Sequence, residues 1–184
     1  MSSAAARPLE YYYTMDDINN LPEGKRAELI DGELYMMAAP GLMHQRILME
    51  LAFRIRDYIG KNKGDCEVFP APFAVFLNAD DRIYLEPDIS VICDREKLTE
   101  EGCKGAPDWI IEIVSPTSRP MDYNKKLFKY RMAGVREYWI LDYERNLIMV
   151  YDFEHDEMKD YTLKDKVKTN IYQDLEIDFS QMIL

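Results

Sequence analysis

The sequence predicts an α/β domain of the α+β kind, built on one mixed β-sheet flanked by helices. Three observations predict it. Residues 42–59 and 122–133 carry apolar side chains at helical spacing, short β-rich runs stand between and after them, and polar connections separate the elements. A chain of 184 residues with 47% hydrophobic and 31% charged residues has the material for one ordinary core. The expected organisation is a flexible leader over residues 1–13 and a single domain over 14–184.

The elements follow in order. Thr14 precedes Met15-Asp16-Asp17-Ile18, an N-cap followed by carboxylates that favour the positive end of a short helix, and Pro22 and Gly24 end it. Residues 27–37 are strand formers around Asp31-Gly32, a dipeptide suited to a tight hairpin turn. In residues 42–59, Met43, Ile47, Leu48, Leu51, Ile55, Tyr58 and Ile59 fall on one helical face. Strand-like runs follow at 66–69, 73–77 and 83–93, with residues 78–81 breaking the second from the third. Residues 94–107 read as a polar connection containing one helical turn. Residues 109–114 form a near-continuous apolar strand interrupted by Glu112, and a loop leads to the second helix, which Gly134 stops. Strands at 138–141, 147–153 and 158–163 complete a meander.

Charge and motifs exclude several functions. With 23 basic and 34 acidic side chains the net charge is −11, a field that repels nucleic-acid phosphates, so any nucleic-acid activity must come from a local site. The strongest basic cluster is Arg119, Lys125, Lys126, Lys129, Arg131 and Arg136. Cys66, Cys93 and Cys103 are an odd number without C-x-x-C spacing, which suits unpaired thiols in a reducing compartment rather than a disulfide framework or a zinc site. No apolar run is long enough to cross a membrane, and the N-terminus lacks a secretory apolar core, so a soluble cytoplasmic protein is expected. There is no Gly-rich phosphate loop, no H-E-x-x-H and no G-x-S-x-G.

The chemistry-bearing feature is a pair of carboxylates on successive apolar strands, Asp88 and Glu112. Ionised carboxylates are costly in such surroundings unless paired, hydrogen-bonded or metal-bound, and two of them can converge on one hard cation. Asp122, Lys126 and Tyr130 stand four apart and share a helix face.

Pro87-Asp88 followed by Glu112-Ile113-Val114 resembles the PD-(D/E)xK signature of restriction-endonuclease-like nucleases, with Val114 where that pattern has lysine. The wider ordered set resembles the Uma-two family of that superfamily over about residues 14–165. It comprises Arg26 to Leu34, Pro40, His44, Glu86 to Ile89, Glu112 to Ser118, Asp122, Lys126, Tyr130 and Gly134 to Asp142. The resemblance implies a restriction-endonuclease-like core. It also implies that the catalytic lysine has moved to the following helix, at Lys126. Asp88 and Glu112 would then bind Mg²⁺ or Mn²⁺, with Glu28, His44, Asp122 and Tyr130 accessory. The implied activity is metal-dependent hydrolysis of phosphodiester bonds in double-stranded DNA by a homodimer. The alternative is a nuclease-derived binding or assembly module that no longer cleaves, which Val114 and the charge of −11 favour. Plainer readings stand beside these roles: Asp122 as an N-cap, Lys126 as a solvated charge, Tyr130 as core filler, Glu28 as an exposed strand acid, His44 as a local hydrogen-bonder.

Overall fold

The computed structural model describes residues 12–78, 82–116 and 118–182. Most of the expected leader, and residues 79–81 of the expected break, lie outside the described residues. Helix α1 (Met15–Asn19) begins where Thr14 predicts, with the Thr14 N–H donating to Asp17 Oδ2 at 2.9 Å. Strands β1 (Ala27–Ile30) and β2 (Glu33–Met36) form the expected hairpin. Its turn residues Asp31 and Gly32 both adopt positive φ, 54° and 80°, as a tight two-residue turn requires. The Tyr13 N–H donates to Gly32 O at 2.8 Å, which ties the chain just before α1 to this turn.

Helix α2 (Leu42–Lys61) buries Ile47, Leu48, Leu51, Ile55 and Ile59, the face its periodicity predicts. Beyond it come β3 (Glu67–Pro70), β4 (Val75–Phe76), β5 (Ile83–Tyr84) and β6 (Ile89–Ile92). The run expected as one strand over 83–93 is therefore two. β5 pairs with β1, whereas β6 enters the main sheet, and Pro87 between them has no N–H to continue a ladder. The 94–107 connection holds the expected helical turn, Arg95–Lys97, and also two short strands, β7 (Leu98–Thr99) and β8 (Gly102–Lys104). Strand β9 (Trp109–Ile113) leads through the loop into a helix whose first part, Met121–Lys126, is π-helical and whose second part is α3 (Leu127–Ala133), ended by Gly134 at φ 91°. Strands β10 (Glu137–Asp142), β11 (Leu147–Asp152) and β12 (Glu157–Tyr161) form the meander, followed by β13 (Lys166–Lys168) and β14 (Glu176–Asp178).

The main sheet has the order β12-β11-β10-β9-β6-β3. β9 and β10 are parallel, because the helix between them crosses back over the sheet, and the other neighbours are antiparallel. The result is the mixed sheet flanked by helices that the sequence predicts. Strand alternation divides β9 between two cores: Trp109, Ile111 and Ile113 face α2, while Ile110 lies with Tyr130, Val135 and Tyr138 on the α3 side. Glu112 points to that second side.

The cysteines correct one expectation. Cys66 and Cys93 form a disulfide, and only Cys103 is a free, buried thiol. The reason is register: Glu67 pairs with Ile92, so Cys66 and Cys93 meet across the next position of the same antiparallel ladder. That convergence was invisible in their sequence spacing.

Candidate active site

Strands β6 and β9 place the two expected carboxylates. The Ile89–Ile111 pair leaves Asp88 and Glu112 across from one another, one step further along. The Ile113 N–H donates to Asp88 Oδ2 at 2.7 Å, which fixes one oxygen to the backbone of β9. The other, Oδ1, lies 3.1 Å from His44 Nε2 on the first turn of α2. His44 Nδ1, the other ring nitrogen, is buried with no hydrogen-bond partner.

Glu112 is buried and receives two donors at one oxygen. Lys126 Nζ is 3.0 Å from Oε1, and the Tyr130 hydroxyl donates to the same atom at 2.7 Å. Lys126 is itself 95% buried and reaches two more carboxylates: Glu28 Oε2 at 2.8 Å and Asp122 Oδ1 at 3.5 Å. The reading of Lys126 as a solvated charge is thus corrected, and so is that of Glu28 as an exposed strand acid. Asp122 is not an N-cap either. The Met121 and Asp122 N–H groups both bond back to Ser118 O, so Asp122 lies inside the helix and is buried. Tyr130 holds the carboxylate rather than the lysine.

The π-helical turn matters here. Such turns widen a helix locally and are frequent at functional sites. This one lies over Met121–Lys126, so Asp122 and Lys126 both sit on the widened stretch and both enter the core. One residue supporting the site was not foreseen. Glu86 accepts from Arg26 Nε at 2.8 Å and from the Tyr84 hydroxyl at 2.6 Å, and its N–H donates to Glu28 Oε1 at 3.1 Å. Its signal was a glutamate between Leu85 and Pro87 in an apolar run, with Tyr84 two residues away.

The electrostatics follow from one buried ammonium among several carboxylates. Burial raises Glu112 well above the usual carboxylate range, Lys126 pulls it back, and the nearby acids push it up again. Burial likewise pushes Asp122 up, to about 6, against the opposing pull of Lys126. Burial alone would lower Lys126, but Glu112, Glu28 and Asp122 outweigh it and hold the lysine well above its ordinary value. Lys126 therefore stays charged, and the surplus negative charge is relieved on the carboxylates.

Asp88 and Glu112 present carboxylate oxygens from neighbouring positions, the donor type that suits a hard divalent cation with water or substrate oxygens as its other ligands. Among the described residues no group of three or more His, Cys, Asp or Glu side chains is arranged to hold a metal by itself. The basic cluster, by contrast, is fully paired. Arg119 meets Asp142 and Glu144, Lys125 meets Glu33, Lys129 meets Asp31, Arg131 meets Asp156, and Arg136 meets Asp108 and Glu154. Among the described residues no helix is long and apolar enough to cross a membrane.

Comparison with known proteins gives three findings. A family model described as "Uma2: Putative restriction endonuclease" matches residues 9–180. An uncharacterised protein of Synechocystis is 24% identical over 106 residues, covering 58% of this chain and 54% of the relative, so the match spans about half of that protein's length. The crystal structure of "a putative nuclease belonging to DUF820" from Anabaena variabilis is similar in fold. Its TM-score is 0.74 at 23% identity, over 92% of this chain and 96% of that one.

Proposed function

Because the chain belongs to the Uma2 family, we propose that it is a divalent-metal-dependent nuclease that hydrolyses phosphodiester bonds of double-stranded DNA. The observation that carries this reading is the approach of Lys126 to Glu112. A lysine from the helix after β9 puts its ammonium 3.0 Å from the second carboxylate, the neighbourhood that the buried Val114 cannot serve from the strand. Chemistry needs the ammonium in place, whichever position of the sequence supplies it.

The roles of the chain's own groups follow. Asp88 and Glu112 would hold Mg²⁺ or Mn²⁺, which when bound supplies Lewis-acid activation of the phosphate and of a water nucleophile. Lys126 would orient that water or stabilise the charge that develops on the phosphate oxygens. His44 and the Ile113 N–H fix the rotation of Asp88, and Tyr130 fixes Glu112.

The test is cleavage of plasmid and linear duplex DNA in Mg²⁺ or Mn²⁺ by the wild type, Asp88→Asn, Glu112→Gln and Lys126→Met. Each substitution should cost at least ~100-fold in rate, the loss typical of removing one preorganised charged group. Full activity in Asp88→Asn would defeat the assignment. The non-cleaving alternative is favoured by the paired basic cluster. It would reveal itself as a protein that binds neither Mn²⁺ nor cleaves, in which Lys126→Met alters stability alone.

A further inference from the structure

Lys126 is held from two directions. Glu112 comes from β9 and Glu28 from β1, strands of different sheets that the sequence separates by more than eighty positions. Glu28 occupies a strand in which all four residues are buried, where an apolar side chain would pack at no electrostatic cost. Its carboxylate is preorganised. Oε1 is anchored by the Glu86 N–H at 3.1 Å, and Glu86 is locked in turn by Arg26 and Tyr84, leaving Oε2 for Lys126 at 2.8 Å. The Glu28 contact is the shortest Lys126 makes, against 3.0 Å to Glu112 and 3.5 Å to Asp122.

A cation seated on Asp88 and Glu112 would have to share Glu112 with that ammonium, and like charges at such range repel strongly in a buried site. We propose that Glu28 is a positioning residue that receives Lys126, taking a share of the ammonium so that it rests on Glu112 Oε1 beside the Tyr130 hydroxyl and leaves Oε2 to the divalent cation, while keeping the lysine within the site. This rests on the metal-dependent reading above and adds to it a competition: Lys126 and the metal contend for Glu112, and Glu28 settles the contest in the metal's favour.

The competition is read by calorimetric titration of Mn²⁺ into the wild type, Glu28→Gln, Lys126→Met and the double variant. Glu28→Gln should weaken Mn²⁺ binding by about tenfold, and Lys126→Met should tighten it. In the Lys126→Met background the Glu28→Gln penalty should shrink at least about threefold, the mark of two residues acting through one another. Glu28→Asp, which keeps the charge, should recover part of the lost affinity. A folding defect would instead lower the number of binding sites per chain at unchanged affinity. An equal penalty in both backgrounds would make Glu28 a ligand in its own right and overturn the proposal, as would a Glu28→Gln affinity equal to wild type. If the wild type binds no Mn²⁺ while folded, the metal-dependent reading falls first, and this inference with it.

Discussion

Tyr130 shows how much one hydroxyl does in a buried site. It is fully buried, and its O–H donates to Glu112 Oε1 at 2.7 Å. Burial, with Glu112 and Glu28 nearby, raises its own proton affinity well above the usual phenol value, so it remains a donor. Tyr130→Phe keeps the ring against Tyr138 and removes only that bond. We expect a loss of about 1–3 kcal/mol in urea unfolding, the cost of leaving a buried carboxyl oxygen short of a donor. Lys126→Met should cost more, about 3–5 kcal/mol near neutral pH, because it removes the compensating cation from Glu28, Glu112 and Asp122. Its deficit should shrink on acidification, since protonated carboxyls no longer need that cation.

Glu137 lets the same argument be worked out with pH. At the start of β10 it accepts from Trp139 Nε1 at 2.6 Å and from the Asn170 and Ile171 N–H groups at 2.9 Å each, tying the segment before β14 to the sheet. Burial nevertheless dominates and lifts its pKa from 4.5 to about 7. Between those values the folded state keeps a proton that the unfolded state has lost. Stability therefore falls as pH rises through that window, by at most on the order of 3 kcal/mol. Glu137→Gln should abolish that component. Chemical denaturation at pH 4.5 and 7.5 should show a smaller decline in the variant than in the wild type, and parallel curves would refute the assignment.

Among the elements, the β1–β2 hairpin is the one whose local chemistry reaches the site. Its turn fixes where β1 runs, and β1 carries Glu28 to Lys126. Gly32 holds φ 80°, and a Cβ there would lie 2.8 Å from the Tyr12 ring. Gly32→Ala is expected to lower stability by about 1–3 kcal/mol through backbone strain and that close approach, measurable as a reduced midpoint in urea at unchanged slope. The crossover helix is the second such element. Its i, i+4 spacing foretold that Asp122, Lys126 and Tyr130 share a face, and the structure brings all three inward. That the first turn is π-helical was not legible, because backbone hydrogen-bond register depends on what the helix packs against. The run 83–93 likewise read as one strand, since β-propensity is blind to which sheet a residue joins.

For the whole molecule the governing quantity is charge. The net charge is −11, and the cations of the strongest basic cluster each have a carboxylate partner. On the proposed reading, duplex DNA is held chiefly through the site and its cation, with few phosphates neutralised by side chains. The plot of log affinity against log salt should then have a slope shallower than about −4, where a protein making six to ten phosphate contacts would be far steeper. Fluorescence anisotropy of a labelled duplex across a salt series, with and without Mn²⁺, measures it. A steep slope without the metal would point to a basic surface that the ion-pair pattern conceals.

The sequence by itself determined the class of fold, the two long helices, the hairpin turn, and the pair of acids, Glu112 within an apolar strand and Asp88 just before one. Those features are written in local periodicity, turn chemistry and the cost of burying charge, which neighbours along the chain suffice to express. Which residues meet was decided by the tertiary structure. Glu28 and Lys126 lie on different elements, Glu86 props Glu28 from a third, and Cys66 reaches Cys93 only through the β3–β6 register. Each of these contacts depends on sheet order and strand register. Those are settled by how several faces bury themselves at once, and no single stretch of sequence carries that information.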